Sequence, residues 1–275
     1  MLRTGAPLAL ALLLAACRTG RNYTSPDVPR SADLQPSVAT AAAPAARPAA
    51  LLVVSFNIAF ARNIDSALAV LRTEPALRHP DVLLLQEMDG ASTARIAREL
   101  GMAYVYYPAL LHKRTRRDFG NAVLSRWPIV SDERLVLPHR SLFTRTQRIA
   151  AAATIDVAGL PVRVYSAHLG TLVEITPRAR RDQLRHILAD AARFTHVVVG
   201  GDMNGGGVAR VALDRGYAWP TQSGPRTTAA GRWDHVLLRG FARDGRAAGT
   251  VRDVRGSSDH KPVWTRAALD TMLRR

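Results

Sequence analysis

Only one cysteine, Cys17, stands among the 275 residues. No intrachain disulfide and no cysteine-based zinc cluster can therefore form, and any metal must rest on oxygen or imidazole ligands. Lysine is nearly absent as well, with Lys113 and Lys261 the two examples among 38 basic residues. Aromatic residues make up 6%, too few for a platform that stacks successive bases of a single strand. There is no G-x-x-x-x-G-K-[ST] phosphate loop, no H-E-x-x-H zinc helix and no G-x-S-x-G elbow, which removes the commonest nucleotide-binding, metalloprotease and serine-hydrolase designs. Ser258, Asp259 and His260 are consecutive and cannot converge on one another as a triad. No repeat of fixed period is present.

What is present is a foldable, strongly basic chain. Hydrophobic residues at 47% and charged residues at 22% exclude disorder for most of the length. The 38 basic residues against 22 acidic ones leave a formal charge of +16. Such a field attracts phosphate-rich polymers or anionic lipid head groups. The basic run from Lys113 to Arg117 and the set Arg178, Arg180, Arg181 and Arg185 concentrate it. Alanine and arginine richness also follows from GC-rich coding, so part of the excess is a solvated face.

The amino terminus reads as an address. Arg3, the apolar stretch Leu8 to Leu14 and small residues before Cys17 make residues 1–16 a signal segment. The apolar stretch is too short to span a bilayer. Leu14-Ala15-Ala16-Cys17 resembles a bacterial lipobox, which implies cleavage before Cys17 and a lipid on its thiol. Residues 17–50 turn to Pro, Ala, Ser, Thr and Arg, with Pro26, Pro29, Pro36, Pro44 and Pro48 opposing any helix, and read as a flexible tether. The expected product is exported and lipid-anchored to a bacterial membrane, facing the periplasm or the exterior, with residues 51–275 as its single body.

Within that body, β-branched runs predict strands over 51–56, 82–86, 122–125, 151–157, 162–166, 197–200, 235–238 and 263–266. Helices are predicted over 65–71, 93–100 and 177–193, the last capped by Thr176 with Pro177 in its first turn and Leu184, Ile187, Leu188 and Ala191 on one face. Strands that follow one another without a helix, as at 151–157 and 162–166, favour mixed sheets covered by helices over a doubly wound parallel sheet.

Polar clusters stand at the ends of these runs: Asn57, Gln86-Glu87, His168, Asp202-Met203-Asn204, Asp234-His235 and Ser258-Asp259-His260. A strand that breaks off in carboxylate, amide or imidazole commonly presents those groups on the rim of a cleft. With Gly120 to Arg126, they occur in the order seen in the endonuclease/exonuclease/phosphatase superfamily, which the chain resembles from about Val53 to Trp264. The resemblance implies an α/β fold of α+β type: a four-layer, deoxyribonuclease I-like sandwich of two mixed β-sheets flanked by helices. It also implies hydrolysis of phosphate esters with a divalent metal, Mg²⁺ or alternatively Mn²⁺.

On this resemblance Glu87 is the principal metal ligand, with Asn57 and Asp259 beside it, a set of hard oxygen donors of the kind Mg²⁺ takes. Asp202 would orient or deprotonate the attacking water and Asn204 would hold water or phosphate. His260 backed by Asp234 matches the superfamily's His-Asp pair and is the alternative to Asp202 as acceptor of the water's proton, and His168 matches the position that contacts phosphate or assists the leaving group. Asn121, Arg116 and Arg117 are the candidate substrate contacts. Ala59 stands where several family nucleases carry a second acid, which makes one metal the expected count. The charge favours nucleic acid as the phosphodiester substrate of a monomer. A phospholipid, phosphoinositide or sphingomyelin-type phosphoesterase at an anionic membrane is the rival enzyme, and a non-catalytic surface binding module the rival outside enzymes.

Overall fold

The structure is a computed structural model that describes residues 20–23, 25, 28–36, 46–113, 115–242 and 247–269. Cys17, the signal segment 1–16 and Arg114 lie outside the described residues.

The apolar runs pair into two sheets. The first contains β1 (Gly20–Asn22), β2 (Ser31–Asp33), β3 (Ala50–Asn57), β4 (Val82–Met88), β5 (Ala103–His112), β6 (Asp118–Ser125), β12 (Ala248–Thr250) and β13 (Val263–Ala268). Its order is β1-β5-β6-β4-β3-β13-β12, with β2 also paired to β5. The second runs β11 (Asp234–Arg239), β10 (His196–Asp202), β9 (Leu160–His168), β8 (Ile149–Val157) and β7 (Ile129–Val136). The inner faces interlock through Val53, Leu84, Val123 and Trp127 on one side and Val164, Val198 and Val236 on the other, all buried. Outside the first sheet lie α1 (Ile64–Thr73) and α2 (Gly90–Leu100), and outside the second α3 (Pro177–Asp190) and the short α4 (Arg210–Leu213). Thr176 caps α3 by accepting from the Ala179 N–H, and Leu184, Ile187 and Leu188 face Val197 and Val199. The architecture is the expected four-layer sandwich with mixed sheets.

Topology decides where the polar ends fall. Two pairs of neighbours are parallel, β3 with β4 and β9 with β10. Parallel neighbours finish on the same edge, so Asn57, Glu87, His168 and Asp202 come out on one rim. The antiparallel β11 begins on that rim with Asp234 opposite Asp202. The two sheets together therefore turn scattered strand ends into one cluster.

The stretch expected as a free tether behaves differently over its described residues. Gly20–Asn22 pairs antiparallel with Leu110–His112, and Ser31–Asp33 with Tyr104–Tyr106. Edge strand β5 would otherwise leave its outer backbone donors and acceptors bare, and these two short strands cover it. Arg30 adds a bidentate ion pair to Asp132 at 2.5 and 2.7 Å. Backbone pairing needs no apolar periodicity, which is why composition did not predict it. The same applies to β7, whose alternation is broken by Ser131, Asp132, Glu133 and Arg134.

Gly201 is required beneath the rim. It holds φ +148°, and a Cβ there would stand 1.8 Å from the Ala167 carbonyl oxygen across the parallel pair. Gly201→Ala is expected to lower the unfolding free energy by roughly 3 kcal/mol, since strand separation is its only relief. Urea unfolding followed by circular dichroism checks this, and a loss below about 0.5 kcal/mol would contradict it.

Candidate active site

Asp202 is the centre of the cluster. Its side chain is buried, and Oδ1 accepts from the Asn204 backbone N–H at 2.8 Å. Around Oδ2 stand the Asn57 amide nitrogen at 3.3 Å, the Asn204 amide nitrogen at 3.3 Å, His168 Nε2 at 3.4 Å and His260 Nε2 at 3.8 Å. Burial, and then the charge of Asp234, push the Asp202 carboxyl well above the usual carboxylate range, with His260 opposing the shift.

Asp234 completes a second pair. His260 Nδ1 lies 2.9 and 3.1 Å from the two Asp234 oxygens, leaving Nε2 towards Asp202. Burial alone would depress the imidazole, but the hydrogen bond and charge of Asp234 outweigh it and push the group up to about 9. His260 is therefore an imidazolium at neutral pH. His168 is its opposite. Burial and the adjacent Arg148 guanidinium hold it well below 6.5, so it stays neutral.

Glu87 sits at φ +60°, where β4 slips register against β6 between Gln86 and Met88. The bulge re-aims the side chain into the cleft. Its two oxygens accept from the Asn57 amide at 3.2 Å and from the Phe60 N–H at 3.1 Å, and burial raises its pKa. Phe60 is itself held at φ +61° between Ala59 and Ala61, both also at positive φ. Strained backbone of this kind concentrates where a fold over-determines a functional geometry.

The structure brings Asn57, Glu87, His168, Asp202, Asn204, Asp234 and His260 together and sets other candidates apart. Asn57 turns its amide nitrogen to the carboxylates, while its oxygen accepts from the Ala59 N–H at 3.1 Å. It braces the acids and does not present a metal-ligand oxygen. Asn204 spends its amide on Asp202 and on the Leu169 carbonyl at 2.9 Å. Asp259 is exposed, and its charge raises the pKa of both Glu87 and His260 from a distance. Asn121 is a correction: it is buried, and its amide donates to the Ile149 and Ser166 carbonyls at 2.8 and 3.2 Å, tying the sheets together and leaving it no exposed face to offer a substrate. Arg116 and Arg117 are both exposed, and Arg117 bonds Asp89 and Ser92 at the start of α2.

Several site residues escaped the sequence reading. Arg148 reaches within 3.2 Å of both His168 ring nitrogens and is paired with Glu174 at 2.8 Å. It stands at the start of an antiparallel strand, so looking only where apolar runs end could not find it. Phe60 and Phe119 stack at 5.2 Å, and Phe119 lies 5.8 Å from His168, forming an aromatic wall. Buried Arg180 of α3 bonds the Asn204 carbonyl from beneath.

Residues 54–260 match the Endonuclease/Exonuclease/phosphatase family. The chain belongs to this family. Its structure is similar to TDP2 of D. rerio complexed with single-strand DNA product, at 19% identity and TM-score 0.63, covering 80% of this chain and 99% of that one. It is likewise similar to sphingomyelinase C from Streptomyces griseocarneus, at 19% identity, TM-score 0.61, and 79% and 99% coverage. The human nocturnin catalytic domain with bound sulfate gives 19% identity and TM-score 0.60, with 81% and 96% covered. No curated protein matches the sequence. The fold is thus the deoxyribonuclease I-like sandwich, and family membership makes the chain a phosphoesterase in the general sense.

Beside the cluster, His235 carries a testable consequence. Its Nδ1 accepts from Trp219 Nε1 at 3.2 Å and its Nε2 donates to the Arg232 carbonyl at 3.1 Å, an arrangement that needs a neutral ring. Burial holds the group down at about 4. Between pH 4 and 6.5 the unfolded chain takes up a proton that the folded one refuses, so this contribution is complete above 6.5 and is lost as pH falls through that window. The loss sums to roughly 3 kcal/mol. The difference in unfolding free energy between wild type and His235→Asn should shrink by about that amount from pH 7 to pH 4, and a pH-independent difference would refute it.

Proposed function

We propose that the chain hydrolyses phosphodiesters with the help of Mg²⁺, Mn²⁺ being the alternative. The observation that carries this reading is the convergence on Asp202 of one imidazolium, one neutral imidazole and two amides, with buried Asp234 and half-buried Glu87 completing a group of three carboxylates. Such a group fits a divalent cation on its chemistry. The donors are hard oxygens, and burial raises the pKa of both Glu87 and Asp202, a penalty that a cation relieves. Donor atoms of Asp202, Asp234 and His260 lie within 4.8 Å of one another. Asp234 is committed to His260, so Glu87 and Asp202, which share the Asn57 amide, are the residues that would hold the ion. When bound, Mg²⁺ supplies charge neutralisation at the phosphoryl oxygens and a water of lowered pKa.

The protein groups divide the remaining work. Asp202 orients the attacking water and accepts its proton on a carboxylate oxygen. The His260 imidazolium, held in place by Asp234, donates from Nε2 to a phosphoryl oxygen as charge builds there. Neutral His168 gives one N–H towards the same centre, and the Arg148–Glu174 pair fixes its ring. Asn57, Asn204 and Arg180 act as positioning residues, keeping the acids apart and aimed. A purely binding role is disfavoured, because a recognition surface has no need of these tuned acids and bases.

The preference for nucleic acid rests on the overall charge, of which the basic insertion is one part. Arg117 is tied to Asp89 and Ser92 while remaining exposed, and Lys113, Arg116 and the overall charge support the preference beside that residue. Export and a lipid on Cys17 are the reading of Leu14 to Cys17, supported by the sequence pattern alone. Cys17→Ser should move the protein from the membrane fraction to the soluble one, and a variant that stays in the membrane fraction would remove the lipid anchor.

Glu87→Gln keeps the shape of the side chain and removes its charge. It should reduce hydrolysis of bis-p-nitrophenyl phosphate by on the order of a thousand-fold or more. The thermal midpoint should hold or rise, because a half-buried acid is relieved. Activity of the wild type that survives EDTA would overturn the metal-assisted reading.

A further inference from the structure

The described residues expose few large apolar side chains, and four of the most exposed stand together. Leu142 and Phe143 are 63% and 57% exposed on the loop before β8, and Leu172 and Val173 are 54% and 76% exposed on the loop after β9. The two loops are fastened to each other. The Leu142 N–H donates to the Glu174 carbonyl at 2.9 Å and Thr146 Oγ1 donates to Glu174 Oε1 at 3.2 Å, while within its own loop Glu174 Oε2 accepts from the Thr171 N–H at 2.9 Å. Glu174 is also the partner of Arg148, so this apolar rim is joined to His168 through two side chains.

The surroundings of the rim are cationic. Arg140, Arg145 and Arg178 are exposed on these segments and Arg181 is half-buried. The acids close by are spent: Glu174 on Arg148, and Asp182 on Arg185 at 2.8 Å and His139 at 3.4 Å. Beside the rim lies a groove of about 450 Å³ lined by Leu172, Pro177 and Val208 together with Arg180, Arg181 and Arg210. Apolar tips ringed by arginine match the layering of an anionic bilayer, acyl chains inside and phosphates outside.

A second observation gives the same orientation. Asn22 of β1 bonds the rim loop twice, its Nδ2 donating to the Arg145 carbonyl at 2.8 Å and its Oδ1 accepting from the Gln147 N–H at 2.9 Å. The amino-terminal end of the described chain is therefore fixed beside the rim. Cys17 precedes Gly20 by three residues, so a group attached to it is tied to this end by at most about 11 Å of chain.

We propose that Leu142, Phe143, Leu172 and Val173, with Arg140, Arg145 and Arg178 around them, form a docking platform that seats the cleft on an anionic bilayer. A cleft so seated opens onto lipid phosphodiesters. That last consequence rests on the phosphoesterase reading, whereas docking does not.

The test uses the full chain carrying Cys17→Ser, so that no acyl anchor contributes, and vesicles of equal phosphatidylglycerol and phosphatidylcholine. Co-sedimentation should show binding, and adding Phe143→Ser with Val173→Ser should weaken it at least ten-fold while the thermal midpoint holds. Adding Arg140→Gln with Arg178→Gln instead should weaken binding and flatten its dependence on salt. As an independent readout, a Phe143→Trp variant should gain emission that tail-brominated lipid quenches. No sedimentation of the parent, unchanged binding of the serine variant, or absence of quenching would each overturn the platform. Loss of duplex-DNA retention with vesicle binding intact would assign the rim to nucleic acid. The vesicle readouts need no turnover, so a negative result leaves the phosphoesterase reading in place.

Discussion

Everything at the rim follows from the difficulty of keeping Asp202 buried among other acids. A carboxylate out of water beside Asp234 and Glu87 is unfavourable unless each oxygen is supplied with donors. The structure answers with the Asn204 N–H on one oxygen and two amides and two imidazoles around the other. Each donor has its own anchor in turn: Asn57 through Ala59, Asn204 through Leu169 and Arg180, His260 through Asp234, His168 through Arg148. The chain of supports reaches four strands, α3 and the connections that carry Ala59, Arg148, Leu169, Asn204 and His260. What remains uncompensated is negative charge, and that remainder is what a divalent cation would meet.

The two sheets make this arrangement available. Parallel pairing of β3 with β4 and of β9 with β10 gathers four strand ends on one edge, and antiparallel β11 starts there. The positive-φ residues Ala59, Phe60, Ala61, Glu87 and Asn204 lie at these ends. They cost conformational energy that the apolar layers behind them can carry, since those layers consist of fully buried Val, Leu and Ile.

Which parts of this were legible in the sequence depended on the kind of signal. The eight predicted strands and three predicted helices carry strong apolar patterns, and the structure contains every one of them with ends shifted by a few residues. Asn57, Glu87, His168, Asp202, Asn204, Asp234 and His260 were found because each terminates or opens such a run. Short β1, β2 and β12 and the polar β7 were invisible, because edge pairing uses backbone groups that every residue has, and the apolar β5 was missed as well, Pro108 within its run arguing against a strand. Arg148 and Glu174 were missed for a related reason: they begin a strand or sit in a loop, and only their meeting across the fold gives them meaning. Asn121 was misread because its motif is shared by the family while its side chain serves the core.

The same backbone pairing changes what an amino-terminal anchor could do. A free tether of some thirty residues would let the body wander over roughly 30 Å, with its cleft facing any direction. Pairing of Gly20–Asn22 to β5 shortens the connection from Cys17 to three residues and places it at the end of the sheet that carries His112, itself 5.3 Å from Phe60 of the cleft wall. On the lipoprotein reading, such a mount holds the apolar rim at high local concentration against the membrane, so that contacts too weak to bind alone still set the orientation. A short mount would be a handicap for an enzyme that must reach around long polymers in solution. For one that works on molecules lying in the membrane surface, it removes the orientational search before each turnover.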